Sequence, residues 1–397
     1  MTRTRFALVL LLSAAWLGLA GPRGLAAQLV PLGPEIELPN YDFPGKPLLA
    51  VQPGGNAVVV WDDETGGQDQ VFYSYIAAGR KPTGGLWTIE SPEGGLQTDA
   101  VMATPKGFDI LWHVPNFDEP PRAFYRGHLN LRGVQDSRPI LVGGIDTDWV
   151  WQVRGNGFMA GWVLPSVHGI AVRHLSPAGR RTGPELRLNS RPVDGPKPVV
   201  LAVADGGFMA VWLGTVPGPT ATRVLRARRF SPAGKPLGPD FDVNTTPLGV
   251  GDEGKPYLDP DFQVAAAPGG GFAVAWRLDF TIYLRFFDAT GQALGTEVPA
   301  ALAEKAYGAS SLAFDKAGNL MLLWIGSDLK LQLFDPHGAP LGPSAGVRSS
   351  ASYIFKEPRD GSVAWAGDSW LVTWVAVATT TYDFSSLFVR RFKVGPS

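Results

Sequence analysis

Few residues in this 397-residue chain combine reactive side chains with irregular surroundings. Asp62, Asp63 and Glu64 follow one apolar run; His113 opens the segment HVPNFDEPPR, which carries Asp118 and Glu119; His168 follows a third run. Arg277 and Asp279 follow a later one, and Lys356, Arg359 and Asp360 precede the last. Carboxylates brought together from different segments could supply the acid and base of glycoside hydrolysis. As a group the same acids, with Arg, Lys and His, mark where a partner or ligand would first be met. Charged surface residues are mostly just solvated, so these twelve count as a group that marks a face.

Specific chemical signatures are missing. There is no GxSxG elbow, and the five histidines (His113, His128, His168, His174 and His337) show no HExxH or other metal-ligand spacing. GVGDEGKP at 249–256 approaches a phosphate loop, but Pro256 stands where a hydroxyl should reach magnesium and no helix follows. Asp252, Glu253, Asp259 and Asp261 are oxygen ligands of the kind calcium takes. They lack the DxDxDG spacing, so a solvated acidic loop and no cofactor are expected. With no cysteine, disulfides and thiolate metal sites are excluded.

The elements that must position these residues repeat. The best copy of the unit runs from Asp205 to Asn244: a DGG turn, the apolar run Phe208 to Trp212, a polar loop, a strand Val224 to Phe230, the turn SPAGKP, and a last strand Leu237 to Val243. Alternation of Leu225, Ala227 and Arg229 with Arg226 and Arg228 gives that third strand one wetter face. The tryptophan that closes the apolar run recurs at Trp61, Trp112, Trp162, Trp212, Trp276, Trp324 and Trp374. The intervals are 51, 50, 50, 64, 48 and 50 residues. Four short strands per period of about 50 residues is the requirement of a β-propeller blade. The expected fold is therefore all-β, a seven-bladed β-propeller, with the tryptophans filling the gaps between blades.

The last copy stops after its third strand, LFVRRF at 387–392. LVPLGPEIELPN at 29–40 mimics KPLGPDFDVN at 235–244, so the N-terminal strand is expected to complete the last blade and close the ring. In a four-stranded blade the first and third hairpins open on one face of the disc. The second hairpin and the link to the next blade open on the other. Turns of the first face are short and alike (PGG, GNG, AGN, SPAGKP), whereas the second face carries segments that vary in length and charge. Irregular loops on a rigid scaffold are where binding resides, so function is expected on the second face.

Residues 1–27 read separately. Arg3 and Arg5 precede an apolar stretch from Phe6 to Ala20, followed by small residues up to Ala26 and Ala27, the layout of a secretory signal peptide cleaved near those alanines. Residues 28–397 then form one domain, expected in the periplasm or outside the cell, without a membrane span and as a monomer. Removing Arg3, Arg5 and Arg23 takes the 35 basic residues to 32 against 36 acidic ones, a net −4. That balance does not favour nucleic acid, which wants a strongly basic face.

GGFxxxW followed by RxFSPAGxPLGPxFxVN resembles a class of secreted bacterial β-propeller proteins, most strongly in blades three to five. The resemblance implies a binding or interaction module and transfers no catalytic residue. The expectation is a non-enzymatic module that meets a protein or glycan on its irregular face. The alternative is a propeller hydrolase or lyase acting on glycans, with acids converging at the central channel. An apolar or aromatic patch on the loop face would favour the first, and a funnel of several acids with a His, Tyr or Arg of perturbed protonation at the central channel the second.

Overall fold

The computed structural model describes residues 28–395 apart from 41–43, 66–67, 79–86, 89–95, 115–122, 144–148, 154–156, 165–167, 192, 194–198, 203–206, 217–221, 249–261, 301–304, 349–354 and 379–384. The expected signal peptide, Asp118, Glu119 and the acids Asp252, Glu253, Asp259 and Asp261 lie outside the described residues.

All regular elements of the described residues are strands, arranged as seven small antiparallel sheets, the blades of a propeller. Blade one is Leu48–Val51, Ala57–Thr65, Gln68–Ile76 and Trp87–Thr88; blade two is Gln97–Thr104, Gly107–Val114, Ala123–Asn130 and Ile140–Gly143. Blade three is Trp149–Val153, Gly157–Leu164, Gly169–Leu175 and Arg181–Arg187; blade four is Val199–Ala202, Phe208–Val216, Thr222–Phe230 and Phe241–Asp242. Blade five is Phe262–Ala266, Phe272–Leu278, Thr281–Phe287 and Val298–Ala300; blade six is Gly308–Phe314, Leu320–Ile325, Leu329–Phe334 and Ala345–Gly346. Blade seven takes Phe355–Trp365, Trp370–Ala378 and Ser385–Gly395 from the C-terminal end of the chain.

Its outer strand comes from the other end. Gln28–Pro31 pairs with Gly395–Phe392, and Ile36–Leu38 pairs with Val389–Leu387. The register is that of blade four: Pro31 faces Phe392 as Pro236 faces Phe230, and Ile36 faces Val389 as Phe241 faces Ala227. Asn40 then repeats the role of Asn244. Its Oδ1 accepts from Leu387 N at 3.2 Å, as Asn244 Oδ1 accepts from Leu225 N at 2.6 Å.

The core lies in the seams between blades. Second strands are buried on both faces because each face packs on a neighbouring blade; in Gly107–Val114 only the last residue is not buried. The tryptophans pack back onto the preceding blade: Trp276 with Met209 and Leu213, Trp374 with Leu323 and Leu331, Trp61 with Leu371 and Val375. Six of the seven are buried, and Trp162 departs from the expectation by staying partly exposed.

The polar positions of the repeat serve the same seams. The arginine of the R-x-F step donates to a carbonyl at the end of the preceding outer strand: Arg228 to Leu188 O (3.2 Å), Arg285 to Val243 O (2.7 Å) and Arg390 to Val347 O (3.3 Å). Each guanidinium also lies over the phenylalanine two residues on. The acid after the LGP step of blade four, and after the matching LGT step of blade five, accepts backbone N–H groups from the preceding blade. Asp240 accepts from Ser190 and Arg191, and Glu297 from Thr245 and Thr246.

Two details correct the sequence reading. The face expected to be wetter is a seam, since Arg226 is buried and its Nε donates to Asp242 Oδ1 at 3.2 Å. The outer strand of blade four is shorter than Leu237 to Val243, because Pro239 has no N–H to donate and the Gly238 carbonyl is taken by Arg228 Nε at 2.9 Å.

Candidate functional site

Second and third strands extend past the tryptophans as a continuing hairpin. In blade one the ladder runs from Trp61↔Phe72 through Asp62↔Val71 and Asp63↔Gln70 to Thr65↔Gln68. Residues expected on loops therefore sit on strands near the second face. Asp62, Asp63 and Glu64 lie on the second strand of blade one, His113 on that of blade two and Arg277 on that of blade five. Lys356, Arg359 and Asp360 lie on the inner strand of blade seven. Asp63 is buried, and Asp62 O accepts from Gly45 N at 2.7 Å. Among the described candidates only His168 and Asp279 occupy turns, both exposed and both with positive φ (45° and 53°). Asp is among the few types that tolerate such a conformation. The ten described residues of this group are distributed over blades one, two, three, five and seven.

Three of them share a position. In three blades the residue after the tryptophan shares an apolar cluster with the tryptophan of the next blade: Leu213 with Trp276, Ile325 with Trp374 and Val375 with Trp61. Asp62, His113 and Arg277 occupy this position in blades one, two and five.

Blades five and six carry an aromatic patch that sequence reading passed over. Phe280 follows Asp279 in the two-residue turn between Leu278 and Thr281 and is 48% exposed; Tyr307, just ahead of the inner strand of blade six, is 55% exposed. Their rings meet edge to face, 6.1 Å apart at 83°. Lys305 Nζ lies 5.0 Å from the Phe280 ring centroid. The backbone fixes the pair: Ala306 N donates to Phe280 O (2.8 Å) and Tyr307 N to Ile325 O (2.7 Å). Arg277 completes the turn, donating from Nη1 to Asp279 O at 3.0 Å. A large aromatic surface held in place by main-chain bonds loses little entropy on binding. The available signal was Phe280, an aromatic residue in a turn too short to hide it.

Among the described residues the inner strands bring few acids to the centre. Among their described residues, carboxylates occur at Asp99 in blade two and at Glu357 and Asp360 in blade seven. Asp99 is turned away into the seam, where its Oδ2 lies 2.7 Å from His113 Nδ1. Asp99, also missed by the sequence reading, is the extra residue of a bulge between Thr98 and Ala100. In the same seam Asp109 meets Arg126 Nη2 (2.6 Å) and His128 Nδ1 (2.7 Å). Among the described residues no group of three His, Asp or Glu side chains could hold a metal ion.

No protein-family model matches this chain, and no curated protein matches its sequence. Solved structures do match in fold. A polysaccharide lyase, Uly1, has a TM-score of 0.53 and 10% identity, covering 90% of this chain and 91% of its own. The β-propeller domain of the Trilobed protease from Pyrococcus furiosus has a TM-score of 0.52 and 8% identity, covering 90% and 96%. Hydrazine synthase from Kuenenia stuttgartiensis has 0.51 and 13%, covering 90% and 98%. At these identities the likeness is of fold alone. The chain is thus a seven-bladed β-propeller. The Pyrococcus domain is described as having an open velcro topology, whereas here N-terminal strands pair with the last blade.

Proposed function

We propose that this chain is an exported binding module that takes a protein or glycan on its second face, with Phe280 and Tyr307 at the point of contact. The observation that carries this reading is the exposed, backbone-fixed aromatic pair beside Lys305 and Arg277. Exposed aromatic clusters rimmed by polar groups mark interaction sites. A hydrolase or lyase would need acids converging from several blades, and the described inner strands carry them in only two. The test compares the mature chain with Phe280→Ala/Tyr307→Ala for retention on immobilised envelope proteins and glycans. Both residues are half exposed, so the fold should be preserved. Loss of retention supports the reading; full retention by the double variant overturns it.

A further inference from the structure

The outer part of the seam between blades four and five is filled differently from its counterparts. Each third strand sets one side chain opposite the residue three before the blade tryptophan: Tyr75 opposite Val58, Arg229 opposite Met209 and Phe286 opposite Ala273. Tyr75 and Phe286 fill their seams with rings. They meet Phe108 and Phe314 of the next blade edge to face, and they lie against Gly133 and Gly338 in the turn of its third hairpin. Arg229 brings no ring. At the matching glycine, Gly291, a Cβ would touch only the Phe241 ring. A cavity of about 500 Å³ lies there, at the outer rim towards the first face, lined by Arg229, Phe241, Arg285, Phe287 and Gly291 among others. That is an ordinary volume for a small-molecule site.

Its walls divide by chemistry. Phe241 and Phe287, 5.8 Å apart, form an apolar floor with Leu237 and Ala293 beside them. Arg285 reaches across the seam, donating from Nη1 to Val243 O at 2.7 Å while its guanidinium lies 5.6 Å from the Phe287 ring centroid. These contacts hold the charge in place, and Nη1 is the only one of its donors bonded to a described residue. Asp242, the acid of the lining, is taken up by Arg191 Nη2 (3.0 Å) and Arg226 Nε (3.2 Å). The guanidiniums of Arg229 and Arg285 disfavour a cation. The turn amides of Thr290, Gly291 and Gln292 all donate to Asp288, so they form no nest for a phosphate. A carboxylate matches a fixed guanidinium in charge and planar shape, and an apolar body matches the floor.

We propose that the cavity between blades four and five binds a small carboxylate with an apolar body, its carboxylate on Arg285 and its apolar part on Phe241 and Phe287. The site lies towards the face opposite the aromatic patch of Phe280 and Tyr307 and does not rest on that reading.

The test is an NMR titration of the mature chain with phenylacetate, hexanoate and N-acetyl-phenylalanine, with phenylacetamide as the uncharged match. At least one carboxylate should shift the backbone amides of Gly238, Gly291 and Ala293 saturably, and phenylacetamide should bind at least tenfold more weakly. A response to phenylacetate or hexanoate identifies a free acid, and a response to N-acetyl-phenylalanine alone the carboxyl end of a peptide. Arg285→Met, which keeps an apolar cover on Phe287 but no charge, should weaken binding about tenfold, the equivalent of one lost charge-assisted hydrogen bond. Should that variant not fold, Ala293→Trp at an exposed position of the lining should weaken binding by crowding the cavity. Phe280→Ala/Tyr307→Ala should leave the titration unchanged, which separates this site from the first. No saturable shift with any of the carboxylates, equal binding of phenylacetamide, or undiminished binding by the folded variant overturns the proposal.

Discussion

Replacing Asn40 with Ala tests how the ring is closed. Asn40 Nδ2 donates to Ser385 O at 2.8 Å and its Oδ1 accepts from Leu387 N at 3.2 Å, across 345 and 347 residues of sequence. Leu387 is fully buried, so its amide would be left without an acceptor. An orphaned buried donor costs about 1–3 kcal/mol, and the second bond about 0.5–1.5 kcal/mol more. Asn40→Ala should thus lose roughly 2–4 kcal/mol and lower Tm by several degrees. Asn244→Ala is the matched control, because Asn244 accepts from Leu225 N and donates to Thr246 O within blade four. Both variants should be destabilised, but only Asn40→Ala should speed exchange of the Leu387 and Val389 amides, read by hydrogen–deuterium exchange. Unchanged protection of those amides in Asn40→Ala would refute closure of the last blade through this residue.

Three further outcomes follow from the seams. Gly107→Ala should abolish folding or nearly so, because φ is 152° and an added Cβ would overlap the Leu129 carbonyl oxygen; soluble yield and circular dichroism read this. Arg285→Ala should destabilise by about 1–3 kcal/mol by orphaning Val243 O, with only partial rescue by Lys, which lacks the planar guanidinium that lies over Phe287. Burial depresses the imidazole pKa of His174 below its ordinary value. The unfolded chain then binds the proton more readily, so stability present above about pH 6.5 falls as the solution is acidified. His174→Phe, which keeps the edge contact with Phe208, should flatten that fall in urea titrations across pH.

The architecture was legible because its signals are repeated and strongly physical. Tryptophans spaced by about 50 residues mark the second strands, and LVPLGPEIELPN announces its pairing partner by copying KPLGPDFDVN. The candidate residues were misplaced for a related reason. In blade one apolar character ends at Trp61, but the hydrogen-bond ladder continues from Asp62↔Val71 to Thr65↔Gln68. Polarity therefore read as loop where the backbone was still strand. Asp99 escaped notice because a bulge has no compositional mark. Phe280 and Tyr307 escaped because acids and cations were sought, and aromatic residues were assigned to the core.

Site-specific photo-crosslinking reports most directly on where this molecule meets its ligand. A photoreactive phenylalanine analogue would replace Tyr307 on the second face and, in a separate sample, His337, an exposed turn residue on the first face. Each would be irradiated in the envelope or extracellular fraction. Adducts formed at position 307 and absent at 337 are the predicted result. Adducts formed only at position 337 would contradict binding through the second face.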